Sequence, residues 1–577
     1  MRRKRVLFGA AYSVIEPLGL LHLAGLARDL GWERKIVLVK DHDFIPFFEK
    51  VRDFRPDIIG LNVYTGNHMQ MLEACRRIRA EFPETRLALG GPHATYFPAE
   101  TAHYADYVVI GEGFGALKEI LTNSPKQGVI PITMTERFPM PDRKTFYEDY
   151  PEHARSRIKS AITTTGRPYQ CSYCYNSSSP DDIKEGLDVD IFSKISGSSR
   201  LFPQNTRSVD DLIAECREIR EGWPETEVIY FQDDVHALDT RHNGWMEQFA
   251  KRMQKEVGLP YHAQLCWEMI NPQSVGIRRL DLLQEAGCFG LTLSIEAADP
   301  VIRREVLNRN NKEDLMFSAM KELIKRGMRV RTEQITGLPY GATTIPTRIN
   351  LDADLQLVEL NVRLFQLTGG PTMAWASTLA PYKKTKIGSY CEQYGHYEGH
   401  NNDVPDTFFD RSVLRFPKQW VGPELAARKS DPGVWLQGSE LERYRDQNAE
   451  LRNIFNLAAR LPGGHKFAEA YLKSKEQFSF ERLGQEIREH LLFSYDPEAA
   501  GLLESIKAFS AKIPGITQIP EEQKCLSSLA GYFGCLPKSE FAAQKFLEYS
   551  RRKGITPKSL STATRHHLYD NVLYATK

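Results

Sequence analysis

The sequence predicts an α/β protein: a flavodoxin/Rossmann-like parallel-sheet domain, then a partial (β/α)6 TIM-like barrel, then a mainly helical C-terminal domain. Three observations carry this. Short β-rich runs alternate with amphipathic stretches through the first 121 residues, a second alternation with longer repeats follows from about residue 159, and the strand signal fades from about residue 400. At about 150 residues per domain, 577 residues suit roughly three or four domains. The boundaries predicted are 1–135, a linker at 136–158, a barrel at 159–400 and a C-terminal domain at 401–577.

In the first domain, Val6–Phe8, Ile36–Val39, Ile58–Val63, Leu87–Leu89 and Tyr107–Ile110 read as strands. Helical patterns lie at Leu18–Leu30, Phe44–Phe54, Met69–Phe82 and Ala116–Leu121. Short connections and right-handed crossovers make a parallel sheet covered by helices, whose ligands bind beyond the carboxyl ends of the strands. The strand-end loops are rich in glycine and small polar residues: Gly9–Pro17 with Tyr12 and Ser13, Tyr64–His68 with Thr65, Gly66 and Asn67, Gly90-Gly91, and Gly111-Glu112-Gly113. Glycine there lets backbone approach a bulky ligand.

Residues 122–158 carry several prolines and no sustained periodicity, as a linker would. Barrel strands are expected at Ala161–Thr165, Val228–Gln232, His262–Cys266, Leu291–Ile295, Val330–Ile335 and Val362–Leu367, with helices such as Val209–Glu221 and Lys312–Arg326 between them. The active site of such a barrel lies at its strand ends. Helical segments Glu440–Leu461, Phe480–Phe493 and Glu540–Lys553 follow.

Composition excludes several classes. With 75 Lys+Arg against 74 Asp+Glu, no basic field points to nucleic acid and no acidic excess to disorder. Nine dispersed cysteines suit a reducing compartment and metal ligation better than a disulfide framework. The basic start, Met1–Arg5, precedes an apolar run too short for a signal segment, and no run approaches the roughly 20 residues of a membrane span. A cytoplasmic protein is expected, with neither nucleic acid nor membrane as partner.

After the first barrel strand stands Thr165-Gly-Arg-Pro-Tyr-Gln-Cys171-Ser-Tyr-Cys174-Tyr-Asn176. Two thiolates two residues apart on a loop can reach one metal ion or one cluster, although a pair of ordinary buried cysteines gives the same pattern. Further along come Phe231-Gln-Asp233-Asp234, Ser294-Ile-Glu296-Ala-Ala, Ile335-Thr-Gly337-Leu-Pro339 and Leu379-Ala-Pro-Tyr382. In this order, over roughly residues 1–395, the series resembles the radical S-adenosylmethionine (SAM) enzymes with an N-terminal cobalamin (B12)-binding domain. That family carries CxxxCxxC after the first strand of a partial barrel, where three thiolates hold a [4Fe-4S] cluster and SAM chelates the open iron. Here Arg167 stands where the first cysteine belongs. Guanidinium stays protonated and offers iron no lone pair, so the cluster is one ligand short. A third ligand from Cys266 or Cys391, no cluster, or a labile cluster with unusual ligation are the three outcomes the sequence leaves open.

The resemblance implies Cys171 and Cys174 as cluster ligands and Asp233, Asp234, Glu296 and Gly337 as SAM contacts, and the cation at Arg167 suits pairing with the SAM carboxylate or a substrate anion. Each has a plain structural alternative: helix capping for the two aspartates, a salt bridge for Glu296, a turn for Gly337, a solvated loop cation for Arg167. Cobalamin would lie across the strand-end loops of the first domain, against Tyr12, Ser13, Thr65, Gly66, Asn67, Gly90, Gly91, Gly111, Glu112 and Gly113. A flavodoxin-like or nucleotide-binding module is the alternative there. Asp41-His42-Asp43 is not the Asp-x-His-x-x-Gly motif of methionine-synthase-type domains, so no lower cobalt ligand is identified; His68 lies in a suitable loop but reads as a surface or capping histidine ahead of a ligand. The function implied is a cobalamin-dependent radical-SAM-type enzyme, a methyltransferase acting on an unactivated carbon of a small metabolite or natural-product intermediate. An external electron donor such as flavodoxin or ferredoxin would serve it. The alternatives are polar methyl transfer or radical rearrangement with the same cofactors, a non-catalytic corrinoid- or SAM-binding accessory subunit, and zinc held by Cys171 and Cys174 with two further ligands.

Overall fold

The computed structural model describes residues 3–473, except 14, 132–136, 238–243, 340–350, 406, 408–409, 419–421, 423 and 461–462. Six parallel strands open the chain: β1 (Arg5–Ala11), β2 (Glu33–Val39), β3 (Ile58–Asn62), β4 (Arg86–Gly90), β5 (Tyr107–Val109) and β6 (Gly128–Ile130). Their order is β2-β1-β3-β4-β5-β6. Side-chain alternation sends Val6, Phe8 and Ala10 to one buried face, under the helices Leu18–Asp29 and Gly113–Asn123. Leu7 packs on the other, under Ile45–Phe54 and His68–Glu81. The order reverses between β1 and β3, which opens a crevice at the carboxyl ends. The five expected strands form, and β6 adds a sixth inside the proline-bearing stretch; a three-residue edge strand is too short to give a periodicity.

The stretch expected to be a plain linker also holds two short helices, Arg143–Asp149 and Pro151–Arg155. They anchor a buried ionic network between the two sheets. Arg143 donates to Glu215 (2.6 Å) and to the Ser160 carbonyl, and Glu215 also pairs with Arg207. Glu16 accepts from the Ser160 N–H at 2.5 Å and from the Tyr147 hydroxyl.

The second sheet is parallel and in sequence order: β7 (Ile158–Ala161), β10 (Val228–Phe231), β11 (Tyr261–Leu265), β12 (Cys288–Glu296), β13 (Arg329–Thr336) and β14 (Met373–Thr378). It makes the curled half-barrel. Between β7 and β10, β8 (Thr164–Thr165) and β9 (Asn205–Thr206) pair as a small antiparallel ladder. Two expected strands are corrected. The first barrel strand is Ile158–Ala161, and Thr163 to Thr165 belong to the turn and ladder beyond it. Val362–Leu367 lies inside the helix Asp352–Thr368, where Leu357, Val358, Leu360, Asn361, Val362 and Leu364 are buried at helical spacing. Gly369 ends that helix at φ +84°, and the sixth strand follows.

The helix expected at Glu440–Leu461 forms as Gly438–Arg460. It is not apart from the barrel: Leu451, Ile454, Phe455 and Ala458 join the barrel core, and Asn456 accepts from the Ala374 N–H of β14 at 2.9 Å. The segments Phe480–Phe493 and Glu540–Lys553 lie outside the described residues. No described helix is long and apolar enough to cross a membrane.

Candidate active site

Gly166 turns the chain after β8 at φ +66°; a Cβ there would lie 2.4 Å from the Phe202 carbonyl oxygen, so only glycine suits. The loop that follows is pinned to the segment after β12. Ser172 donates to the Val306 carbonyl (2.6 Å), and Asn308 donates to that of Gln170 (2.7 Å). This sets Arg167, Tyr173, Cys174, Tyr175 and Asn176 on the wall of a cavity of about 560 Å³ at the carboxyl ends of the barrel strands. Gln264, Cys266, Thr292, Glu296, Glu333 and Trp375 line it from the barrel, and Tyr64, Thr65 and Pro92 from the strand-end loops of the first sheet. Tyr175 joins the two halves: its ring lies 4.0 Å from that of Tyr96 and 4.9 Å from that of Tyr382, and its hydroxyl is 3.3 Å from the Thr65 hydroxyl.

Two guanidiniums share the cavity with the thiols. Arg309 Nη1 donates to the Tyr173 hydroxyl (3.0 Å) and to Cys171 Sγ (3.6 Å), and lies 3.8 Å from Glu296. Tyr173 in turn donates to Glu296 at 2.6 Å. Burial raises the Glu296 carboxyl, with Arg309 working against the rise. Arg167 is 8% exposed, and among the described residues no hydrogen bond or ion pair engages it; its buried Nε is unsatisfied. Burial opposes its charge, but Cys174, Cys171 and Asp234 outweigh it and the pKa is raised. Burial pushes the Cys174 and Cys266 thiols each up to about 11, despite Arg167 beside the first and Arg309 beside the second.

The expected site residues divide. Arg167, Cys174, Asp234, Glu296 and Cys266 line the cavity, as does Thr65; Cys171 is buried beside it, on Arg309. Asp233 does not line it. It is fully buried and accepts from the Thr163 N–H (2.5 Å), the Thr164 N–H (2.8 Å), the Thr163 hydroxyl (2.7 Å) and His236 (3.0 Å), locking the turn after β7. Gly337 also faces elsewhere: its N–H donates to Asp354, which Asn448 bonds from the Gly438–Arg460 helix. Cys391 is buried in the barrel core.

His68 is no surface residue. It is fully buried, its ring 4.2 Å from that of His93, and its Nε2 meets Asn402 at 3.0 Å. Among the described residues, a gathering of donors at single-ion distance occurs at His68, His93 and Glu100 and not at the Cys171–Cys174 pair, which leaves the zinc reading without its further ligands. Arg309, Tyr173 and Trp375 were not legible as site residues. Tyr173 sits between the two cysteines and could have been suspected, whereas Arg309 reaches the site only through the fold.

A second groove, about 180 Å³, lies over β1, β3, β4 and β5. Its walls are Gly60, Gly90, Gly91, Gly111 and Gly113 with Phe8, Leu20, Leu23, Leu61 and Leu117. A Cβ on Gly90 would meet nothing closer than Val109, at 3.7 Å, so its missing side chain leaves room in the groove. Glu112 precedes the helix Gly113–Asn123, and Gly66 has φ +114°. Asn67 Oδ1 accepts from the Tyr64 N–H, the Ser13 hydroxyl from the Ile15 N–H, and Tyr12 carries Lys40 over its ring. Neither groove nor cavity is lined by these last five residues.

A switch-point sheet with a glycine-walled apolar groove and a half-barrel whose cavity carries thiols and several carboxylates define a two-part α/β architecture built to hold ligands at its strand ends. Residues 4–121 match the B12 binding domain family and residues 161–341 the radical SAM superfamily. The chain belongs to the radical SAM enzymes that carry an N-terminal B12-binding domain. It is 22% identical over 468 residues to cytidylyl-2-hydroxyethylphosphonate methyltransferase of Streptomyces wedmorensis, covering 71% of this chain and 84% of the relative. It is also 22% identical over 403 residues to an uncharacterized methyltransferase of Pyrococcus horikoshii, covering 65% and 78%. In fold it resembles the cobalamin-dependent SAM radical enzyme OxsB solved with aqua-cobalamin and SAM, with a TM-score of 0.53, 13% identity, and 98% and 83% of the two chains covered.

These domains imply cobalamin, SAM and a [4Fe-4S] cluster. The groove fits a flat apolar part of the cobalamin tail, and the cavity has room and polar side chains for SAM. The cluster fits less well. Two thiols of the expected three are in place, the third position is a guanidinium, and one remaining thiol already takes a bond from Arg309.

Proposed function

We propose that this chain is a cobalamin-dependent methyltransferase that takes its methyl group from SAM and delivers it to a small-molecule acceptor in the cytoplasm. The observation that carries the reading is the single cavity bordered by both halves: Tyr64, Thr65 and Pro92 from the B12-binding sheet, Asp234, Glu296 and Trp375 from the barrel. The names of the two relatives support methyl transfer. Cobalamin, when bound, supplies a carrier for the methyl group. The chain's own residues bind and orient: the glycine-walled groove takes the nucleotide tail, Glu296 and Asp234 take the donors of SAM, and Tyr175 holds the two halves together over the cavity. Transfer by polar chemistry is favoured by Arg167, since a radical step on an unactivated carbon needs the cluster.

A radical reading has its own observation: Cys266 lines the same cavity as Cys174. It would bring with it a flavodoxin- or ferredoxin-type electron donor. The test is methyl transfer from [methyl-¹³C]SAM to exogenous cobalamin and then to candidate acceptors, followed by mass spectrometry and the cobalamin absorption spectrum. Label reaching neither cobalamin nor any acceptor, in protein that binds both cofactors, would refute methyl transfer. 5′-Deoxyadenosine formed in step with product would replace the polar route with the radical one.

A further inference from the structure

We propose that the position of the missing cluster thiolate has become an amino-acid clamp, in which Arg167 takes the carboxylate and Asp234 the ammonium of one α-amino acid group, so that the methionine end of SAM is held by side-chain charges without cluster iron. The inference rests on the reading of the cavity as a SAM site and names the residues that grip one end of the ligand.

The observations are chemical and local. Arg167 is 8% exposed, lines the cavity, and among the described residues makes no hydrogen bond or ion pair. A buried guanidinium left without a bonded anion is costly, so this one points to a ligand that supplies one. The other cations of the neighbourhood are committed. Arg309 is bonded to Tyr173 and Cys171, and Arg200 to the carbonyls of Pro168 and Tyr169 on the loop's outer side.

Asp234 is the complementary half. It lines the same cavity within electrostatic reach of Arg167, yet no ion pair joins the two. Asn176 donates to its Oδ2, and no described residue bonds its Oδ1. A separated cation and anion, each with unused bonding capacity, match the two ends of an amino-acid zwitterion, and the planar fork of arginine matches a carboxylate bidentately. The chelating groups of SAM are its α-amino and α-carboxylate groups. Where the family resemblance would put iron to chelate them, this chain offers Arg167 and Asp234. Of the thiols, Cys171 already takes a bond from Arg309.

The experiment uses the full-length protein, reconstituted anaerobically with iron and sulfide. Iron content and the electron paramagnetic resonance of the reduced sample are read first, then calorimetric binding of SAM, decarboxylated SAM and L-methionine to wild type and to Arg167→Gln. The expected result is no stoichiometric iron and no [4Fe-4S]⁺ signal. Wild type should bind SAM on the order of 100-fold more tightly than decarboxylated SAM, a preference that Arg167→Gln abolishes by weakening SAM alone. A full cluster whose signal changes on adding SAM, with SAM affinity indifferent to Arg167, would overturn the clamp and leave the SAM site standing. No SAM binding by wild type would overturn the SAM reading itself. Arg167-dependent binding of L-methionine with none of SAM would move the clamp to an amino-acid acceptor and so overturn the SAM assignment.

Discussion

Replacing Glu215 by glutamine should destabilise the protein by about 3 kcal/mol at pH 6, and the difference should vanish in acid. Glu215 is fully buried between Arg143 and Arg207, which together hold its pKa at about 2 against the cost of burial, whereas its ordinary value is 4.5. Because the folded pKa lies below the unfolded one, the stabilisation is fully present above about pH 4.5 and drains away as the pH falls toward 2. A gap of that size corresponds to about 3 kcal/mol. Removing one member of a buried pair gives a similar figure, about 3–5 kcal/mol, since Arg207 would be left without its carboxylate. Urea unfolding followed by circular dichroism, at steps from pH 6 to pH 3, checks both the size and the slope. Glu221→Gln, on an exposed helix face with Arg217, is the control and should cost under about 1 kcal/mol. A Glu215→Gln effect below about 0.5 kcal/mol, or one that stays constant down to pH 3, would refute the claim that this network holds the two sheets together.

Asp354 has the opposite sign. Burial raises it to about 7, so its folded form keeps a proton that the unfolded chain releases, and stability should fall by about 4 kcal/mol as pH rises from about 4 to 7; Asp354→Asn should flatten that slope in the same urea series. Gly90→Val should fill the glycine-walled groove and weaken hydroxocobalamin binding more than 10-fold by absorbance titration, with the far-ultraviolet spectrum unchanged. Asp233→Ala strands the donors of Thr163 and Thr164 and should cost roughly 2–4 kcal/mol of stability, seen as a lower melting temperature. Arg167→Cys restores the three-thiolate spacing and should raise iron content after reconstitution toward a full cluster, measured by iron assay.

The parts of the fold that were legible are those in which local pattern and final environment agree. Ile58 to Leu61 is apolar on both faces because helices cover both faces of the first sheet. Val362 to Leu367 misled because a buried helix that presents Val358, Val362 and Leu364 to the barrel carries the same β-branched and aromatic composition as a strand, and only the longer window from Asp352 shows the helical period. Asp233 and Asp234 are adjacent and alike in sequence, and both follow the end of β10 at Phe231. The first turns inward to cap the β7 turn and the second opens on the cavity, a distinction that the contacts of the fold set and the sequence does not carry. Arg309 lay beyond reach: it stands on no motif, and only the contacts of Ser172 and Asn308 bring its segment against the cysteine loop.

The departure at residue 167 is therefore not an isolated lost ligand. A thiolate-to-guanidinium change in a cavity already holding Arg309 adds a second buried cation, which the two raised thiols nearby do not neutralise as thiolates would. The carboxylates that line the cavity are Asp234, bonded to Asn176, Glu296, bonded to Tyr173 and paired with Arg309, and Glu333, paired with Arg331. The cavity is thus balanced for an incoming anion on one side and an incoming cation on the other. Its outer wall is the Tyr175 stack that also ties the cysteine loop to Thr65 and Tyr96 of the B12-binding sheet. A ligand gripped at Arg167 and Asp234 would share its cavity with Tyr64, Thr65 and Pro92 of the B12-binding half, so the site that would hold SAM is bordered by both halves of the chain.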